Sequence, residues 1–276
     1  MDKKLIILDV DGTMIDYKGQ LPSSAKEAII QARNNGHIVV ICTGCSKFEI
    51  EMRHFDFELD GMILGNGCYI EYHNKILEHH TLSLEDVIHH NTWCKNRGLT
   101  FRLECNSGIY VPDDYEVKSR KARLEYQRGK GKDLSDNDIV PLPSYILTGH
   151  HLDRTDVNKT AFVLNSYQDY LDALEEFKGL KVDTWGGKGE HALYGAVGVN
   201  VDKAIAIQHL IDYLHFNQVD TIAFGDAKVD IPMFEVCHIG VAMGNSGKEC
   251  LEAADYITDD VNDDGLYKAF KHFNLI

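Results

Sequence analysis

Three stretches of this chain run through consecutive apolar residues and then stop at a polar signature. Residues 5–8 lead into Asp9-Val10-Asp11-Gly12-Thr13, residues 38–42 into Thr43-Gly44, and residues 222–224 into Gly225-Asp226. An unbroken apolar run of this length reads as a strand covered on both faces, as in a parallel sheet flanked by helices. Between the first two runs, Ala25, Ala28, Ile29 and Ala32 recur at helical spacing behind Pro22 and a serine cap, and Gly36 ends the run. That is a β-α-β unit with a right-handed crossover. In open α/β sheets ligands bind beyond the carboxyl ends of the strands, so the three polar signatures are expected to converge.

The rest of the chain divides by texture. Residues 61–79 read as a short strand, a Gly-Asn-Gly turn and a hairpin. From about 82 to 189, amphipathic helices (82–97, 168–178) mix with short alternating strands (99–105, 160–165, 180–184). A polar segment at about 113–143, dense in Lys, Arg, Asp and Gly, reads as containing a mobile loop. After Asp202 a helix carries Ala204, Ile207, Leu210, Ile211 and Leu214 on one side. The strand ending at Asp226 follows, then a short helix, another strand and a last helix near 264–273. The expected fold class is α/β: a Rossmann-like core with a parallel sheet, from residues 1–81 and 190–276, interrupted by an α+β domain at 82–189.

Charge narrows the partners. The 276 residues carry 28 Lys and Arg against 43 Asp and Glu, a formal net charge of -15. That balance argues against nucleic acid and anionic membranes, which need a basic surface. No stretch approaches the ~18 apolar residues of a membrane span, and no secretory pattern opens the chain, so a cytoplasmic location is expected. Seven scattered cysteines fit reduced thiols. Cys42 and Cys45 form a C-x-x-C, but no second pair completes a zinc site, and they read as a core cysteine and a turn cysteine. The histidine pairs at 79–80, 89–90 and 150–151 have no ligand spacing. Oligomeric state is not legible.

The polar signatures suit phosphoryl chemistry. Alternate residues of an extended backbone share a face, so Asp9 and Asp11 can both enter one crevice, and Gly12 permits a sharp exit. One carboxylate can attack phosphorus while the other donates a proton to the departing alkoxide and later accepts one from water. A carboxylate meeting a phosphate dianion is repelled by several kcal/mol at ~4 Å for an effective dielectric near 20. Mg²⁺ held by Asp9 and Asp226, with Asp230 one helical turn on, removes that objection. Lys203 and the Thr43 hydroxyl can hold phosphoryl oxygens.

The ordered set resembles the haloacid-dehalogenase-like (HAD) phosphatases, in particular their Cof-type branch. The resemblance rests on DVDGTM at 9–14, the strand with Thr43-Gly44, and Asn66-Gly67 before a hairpin. It continues through Lys203, GDAKVDIPMF at 225–234, VAMGNS at 241–246 and ADYITDDVNDDG at 254–265. It implies an enzyme, a phosphatase of small phosphorylated metabolites such as sugar phosphates. Asp9 would be the nucleophile that becomes an aspartyl-phosphate, and Asp11 the general acid/base. Thr43, Gly44 and Lys203 would bind phosphate. Asp9, Asp226 and the backbone carbonyl of Asp11 would ligate Mg²⁺, supported by Asp230, with Gly12 and Asn245 in supporting places. Residues 82–189 would be the cap that selects the substrate.

The chain departs from the family pattern in three places. Cys45 stands where Arg is usual, Val229 where Asn is usual, and Ala204 follows Lys203 in place of Gly. Two alternative readings stand beside hydrolysis: a phosphotransferase or mutase of the same fold, and a phosphate-sensing regulator with a weakened site, which Cys45 and Val229 favour. Arg102, Glu104, Arg120, Arg123, Lys188 and His191 are candidates to touch substrate, each also readable as a surface charge. Phe101, Tyr110, Trp185 and Tyr194 read as core of the inserted domain.

Overall fold

The computed structural model describes residues 3–187 and 189–276, so Lys188 lies outside the described residues. The chain begins with β1 (Leu5–Leu8), α1 (Ser23–Asn34), β2 (Ile38–Cys42), α2 (Lys47–Glu51), β3 (Gly61–Leu64), β4 (Tyr69–Tyr72) and β5 (Lys75–His79). Next come α3 (Leu84–Asn96), β6 (Phe101–Cys105), β7 (Gly108–Val111), α4 (Tyr115–Lys118) and α5 (Arg120–Gly129). They are followed by β8 (Ile146–Thr148), β9 (Val157–Val163), α6 (Tyr167–Glu176), β10 (Lys181–Trp185) and β11 (Tyr194–Gly198). The chain closes with α7 (Lys203–Leu214), β12 (Thr221–Gly225), α8 (Ile231–Val236), β13 (Ile239–Ala242), α9 (Lys248–Ala253), β14 (Tyr256–Ile257) and α10 (Gly265–His272).

These elements form two compact units, one of Met1–Cys45, His54–His79 and Val201–Ile276, the other of Ser46–Arg53 and His80–Asn200. The first unit holds an eight-stranded sheet in the order β14-β13-β12-β1-β2-β3-β4-β5. It is parallel from β14 to β3, and the β4–β5 hairpin adds two antiparallel strands at one edge. All four residues of β1 are fully buried, as the unbroken apolar run requires. Leu5 and Ile7 pack with Ala206, Ile207, Leu210 and Ile211 of α7 and Met233 of α8. Alternation sends Ile6 and Leu8 to the other face, where Phe224 meets Phe270 of α10 with ring centroids 5.2 Å apart. A sheet covered on both faces leaves its strand ends as the open place for chemistry.

The second unit holds a six-stranded sheet in the order β10-β11-β9-β6-β7-β8, antiparallel except for the β7–β8 pair. Its main core joins Val87, Trp93 and Cys94 of α3 to Phe101, Leu103, Phe162 and Phe177. A smaller cluster of Val111, Tyr115, Ala122, Val163 and Tyr194 lies apart from it.

Four sequence expectations need correction. The core boundary at 190 falls too early, because β11 pairs with both β9 and β10 and so belongs to the second unit. Residues 46–53 also cluster with that unit. The polar segment at 113–143 contains α4 and α5, whose Ala122 and Leu124 are buried; its density of charge hid one thin apolar stripe. In α7 the buried small residue is Ala206, while Ala204 is half-buried.

Candidate active site

The site is built at the carboxyl end of β1 and its neighbours. Asp9 continues the β1 ladder, its N–H donating to the Phe224 carbonyl at 2.9 Å. The backbone then turns at Gly12, whose φ is +94°. A Cβ there would lie 2.4 Å from Asp226 Oδ2, so only glycine permits this approach. Gly44 is constrained by space in the same way: a Cβ would come within 2.9 Å of Asn66 Oδ1.

Lys203, the first residue of α7, reaches into the crevice with 2% of its side chain exposed. Its ammonium donates to Asp9 Oδ1 at 2.8 Å, to the Cys42 carbonyl at 2.9 Å and to Asp230 Oδ1 at 2.6 Å. Asp202 caps the same helix by accepting from Ile205 N, which fixes where Lys203 begins. Asp230 is fully buried. Its Oδ2 accepts from the backbone N–H of Asp226 and of Ala227 at 3.1 and 3.0 Å. It thus closes the turn after β12 while holding Lys203.

Asp9, Asp226 and Asp230 form a buried triad whose nearest carboxylate oxygens lie within 4.8 Å of one another. One ammonium contacts two of these three carboxylates, Asp9 and Asp230. Burial, reinforced by Asp230, raises the Asp9 carboxyl well above the usual carboxylate range; Lys203 opposes this and Asp226 adds to it. Burial works against the Lys203 charge too, yet Asp230 and Asp9 outweigh it and hold its pKa well above the ordinary lysine value. A hard dication fits this donor set, since the carboxylates outnumber the cations and all offer oxygen.

Asp11 stands apart from the triad. It is half-buried, and the Cys45 thiol lies 3.8 Å from its Oδ2. Thr43 is buried at the end of β2, its hydroxyl accepting from Cys45 N at 3.2 Å. Asn245 donates to the Gly12 carbonyl at 2.8 Å and accepts from Val261 N at 2.9 Å, so it ties the turn after β1 to the loop before α10. Val229, by contrast, is 56% exposed and takes no part in the buried triad.

One neighbour escaped sequence reading. The Tyr17 hydroxyl donates to Asp226 Oδ2, opposite the Thr13 hydroxyl, which donates to Oδ1 at 3.3 Å. Tyr17 arrives through a turn in which Asp16 Oδ1 accepts from Lys18 N and Gln20 N. Neither strand nor helix periodicity reports such a turn; the Asp-x-Lys-Gly-Gln pattern was its only signal.

Comparison with known proteins now bears on this geometry. The family model for haloacid dehalogenase-like hydrolases matches residues 6–270. The chain belongs to that family. One relative is the 5-amino-6-(5-phospho-D-ribitylamino)uracil phosphatase YcsE of Bacillus subtilis (strain 168), 28% identical over 290 residues, covering 100% of this chain and 97% of that protein. Among solved structures, BT1666 of Bacteroides thetaiotaomicron, described among HAD phosphatases, is 25% identical with a TM-score of 0.77, covering 99% of this chain and 96% of that one. The HAD subclass IIB sugar phosphatase BT4131 shares the fold at 23% identity and a TM-score of 0.75, covering 99% of this chain and 100% of that one. Among the described residues no helix is long and apolar enough to cross a membrane.

Proposed function

We propose that this HAD hydrolase is a Mg²⁺-dependent phosphatase of small phosphate monoesters, sugar or polyol phosphates among them, acting through an aspartyl-phosphate on Asp9. The observation that carries the reading is the buried triad of Asp9, Asp226 and Asp230, with a single lysine bonded to Asp9 and Asp230. The relatives named for phosphatase activity on phosphorylated sugars and polyols support the substrate class.

Each side chain has a part. Asp9 Oδ1 is oriented by Lys203, which leaves the other oxygen to attack phosphorus and expel the alkoxide. Asp11, outside the triad and half-buried, donates a proton to that alkoxide and takes one from the water that opens the acyl phosphate. Lys203 and the Thr43 hydroxyl receive phosphoryl oxygens. Asp9, Asp226 and the Asp11 carbonyl would hold Mg²⁺, which when bound neutralises the repulsion between carboxylate and phosphate. Asp230, with both oxygens already accepting, supports from behind. The second unit, residues 46–53 and 80–200, serves as the cap that selects the leaving group.

The test is hydrolysis of p-nitrophenyl phosphate and acetyl phosphate by wild type and Asp9→Asn, each with Mg²⁺ and with chelator. Turnover that requires both Asp9 and Mg²⁺ is expected. Wild-type turnover no greater than that of Asp9→Asn would overturn the reading. The contact of Cys45 with Asp11 favours a second reading, a slow site that binds phosphate as a sensor; tight binding without turnover is its signature.

A further inference from the structure

Every carboxylate of the buried triad is tied to the protein by at least one oxygen. Asp9 Oδ1 accepts from Lys203, and Asp230 accepts through both oxygens, from Lys203 and from the N–H groups of Asp226 and Ala227. Asp226 is also bonded through both. The Thr13 hydroxyl donates to Oδ1 and the Tyr17 hydroxyl to Oδ2. Lys203 and Thr13 are themselves buried. Tyr17 is different: it is 38% exposed, yet its hydroxyl points inward.

The turn after β1 sets that direction. Met14 N and Ile15 N both donate to the Val10 carbonyl, at 3.0 and 2.9 Å. Asp16 N then donates to the Gln20 carbonyl and Gly19 N to the Asp16 carbonyl, each at 2.9 Å. The buried Asp16 carboxylate accepts from Lys18 N at 2.9 Å and from Gln20 N at 2.7 Å. The residue before Tyr17 thus has its N–H, its carbonyl and its side chain all bonded within the turn, which leaves Tyr17 little freedom of direction. The Tyr17 ring lies against Gly12, where a Cβ would come within 2.7 Å of Cε1. Glycine at 12 therefore makes room for the tyrosine as well as for Asp226. Burial and the Asp226 charge push the Tyr17 pKa up, so the hydroxyl remains a donor at neutral pH.

Rigidity of this kind discriminates between hard cations. Mg²⁺ demands a near-octahedral shell at about 2.0–2.1 Å, keeps several waters and takes few carboxylate oxygens. Ca²⁺ takes about six to eight oxygens at roughly 2.3–2.6 Å, commonly both from one carboxylate, and tolerates irregular geometry. An oxygen that accepts one hydrogen bond keeps a second lone pair, so Asp226 can serve a small ion as it stands. Turning it to seat a larger ion breaks the bond from Thr13 or the bond from Tyr17. We propose that Tyr17 is a positioning residue that makes the site select Mg²⁺ over Ca²⁺, by holding Asp226 in one orientation through Oδ2. The inference rests on the metal-dependent reading above and narrows it, from a hard dication to a small one. Thr13 secures the other oxygen from the buried side, so Tyr17 is the half of the grip that one substitution can remove without opening the core.

The experiment titrates the chelator-stripped full chain with MgCl₂ and with CaCl₂ by calorimetry, without substrate, for wild type and Tyr17→Phe. The phenylalanine ring keeps the packing against Gly12 and loses only the hydroxyl. Mg²⁺ affinity is expected to fall about tenfold while Ca²⁺ affinity holds or rises, so the ratio of the two dissociation constants moves toward Ca²⁺ by about tenfold or more. A purely structural role for the hydroxyl would weaken both ions by the same factor. That result, or no change in either ion, overturns the proposal and leaves a Mg²⁺-dependent phosphatase standing. Wild type that takes up neither ion overturns the metal assignment itself, and the proposal with it.

Discussion

Lys203 is held by two carboxylates and a carbonyl in a place with almost no solvent, and its removal would leave Asp230 buried without a counter-charge. Breaking a buried pair in this way costs about 3–5 kcal/mol. Lys203→Met is therefore expected to lower the urea midpoint of the metal-free protein as well as abolish turnover. Tyr17 makes a different demand. Its hydroxyl orients Asp226, so Tyr17→Phe should weaken Mg²⁺ binding about tenfold, read by calorimetry, with the fold retained. The two residues also mark the limits of sequence reading. Lys203, Asp9, Asp226 and Asp230 were legible because each sits at the end of an apolar run or the start of a helix, where order and spacing are informative. Tyr17 and the Cys42 carbonyl were not, because a turn and a backbone oxygen leave no periodic trace.

At the scale of elements, α3 contains a group that ties stability to pH. His90 is 1% exposed, set edge-on to Phe101 with centroids 5.4 Å apart. Burial lowers its pKa to about 4 from the ordinary 6.5, against a weaker opposing bond from Asn91. The unfolded chain binds this proton more readily, so stability falls as pH drops from about 6.5 through about 4. The full loss is about 3 kcal/mol. Urea midpoints between pH 4 and 7 should show this slope in wild type and a flatter one in His90→Leu. The β4–β5 hairpin turns through His73 and Asn74, both left-handed at φ 46° and 61°. That geometry favours Asn-Gly, so His73→Asn with Asn74→Gly should stabilise the fold by about 0.5–1 kcal/mol in the same assay. The hairpin itself was readable from its alternation. Helix α5 was not, since a charged stretch with two buried residues looks like loop, and β11 was given to the wrong unit because pairing partners are not written in a strand's own residues.

At the scale of the whole molecule, each unit has its own sheet and its own core. Separate cores unfold as separate cooperative blocks. Calorimetry is expected to show two transitions, with Mg²⁺ raising only the one that belongs to the unit holding Asp9, Asp226 and Asp230. The order of the strands has a consequence for how the protein is made. Leu5 pairs with Thr221, whereas every strand of the six-stranded sheet finds its neighbours between residues 80 and 200. At 5–20 residues per second, a ribosome needs on the order of ten to forty seconds to reach β12 after β1 has been made. During that interval the second unit can complete itself while β1, with the nucleophile at its tip, has only β2 on one side and an unpaired edge on the other. The strand that carries the chemistry is thus left long in want of its second neighbour, and a nascent-chain chaperone would have reason to cover it.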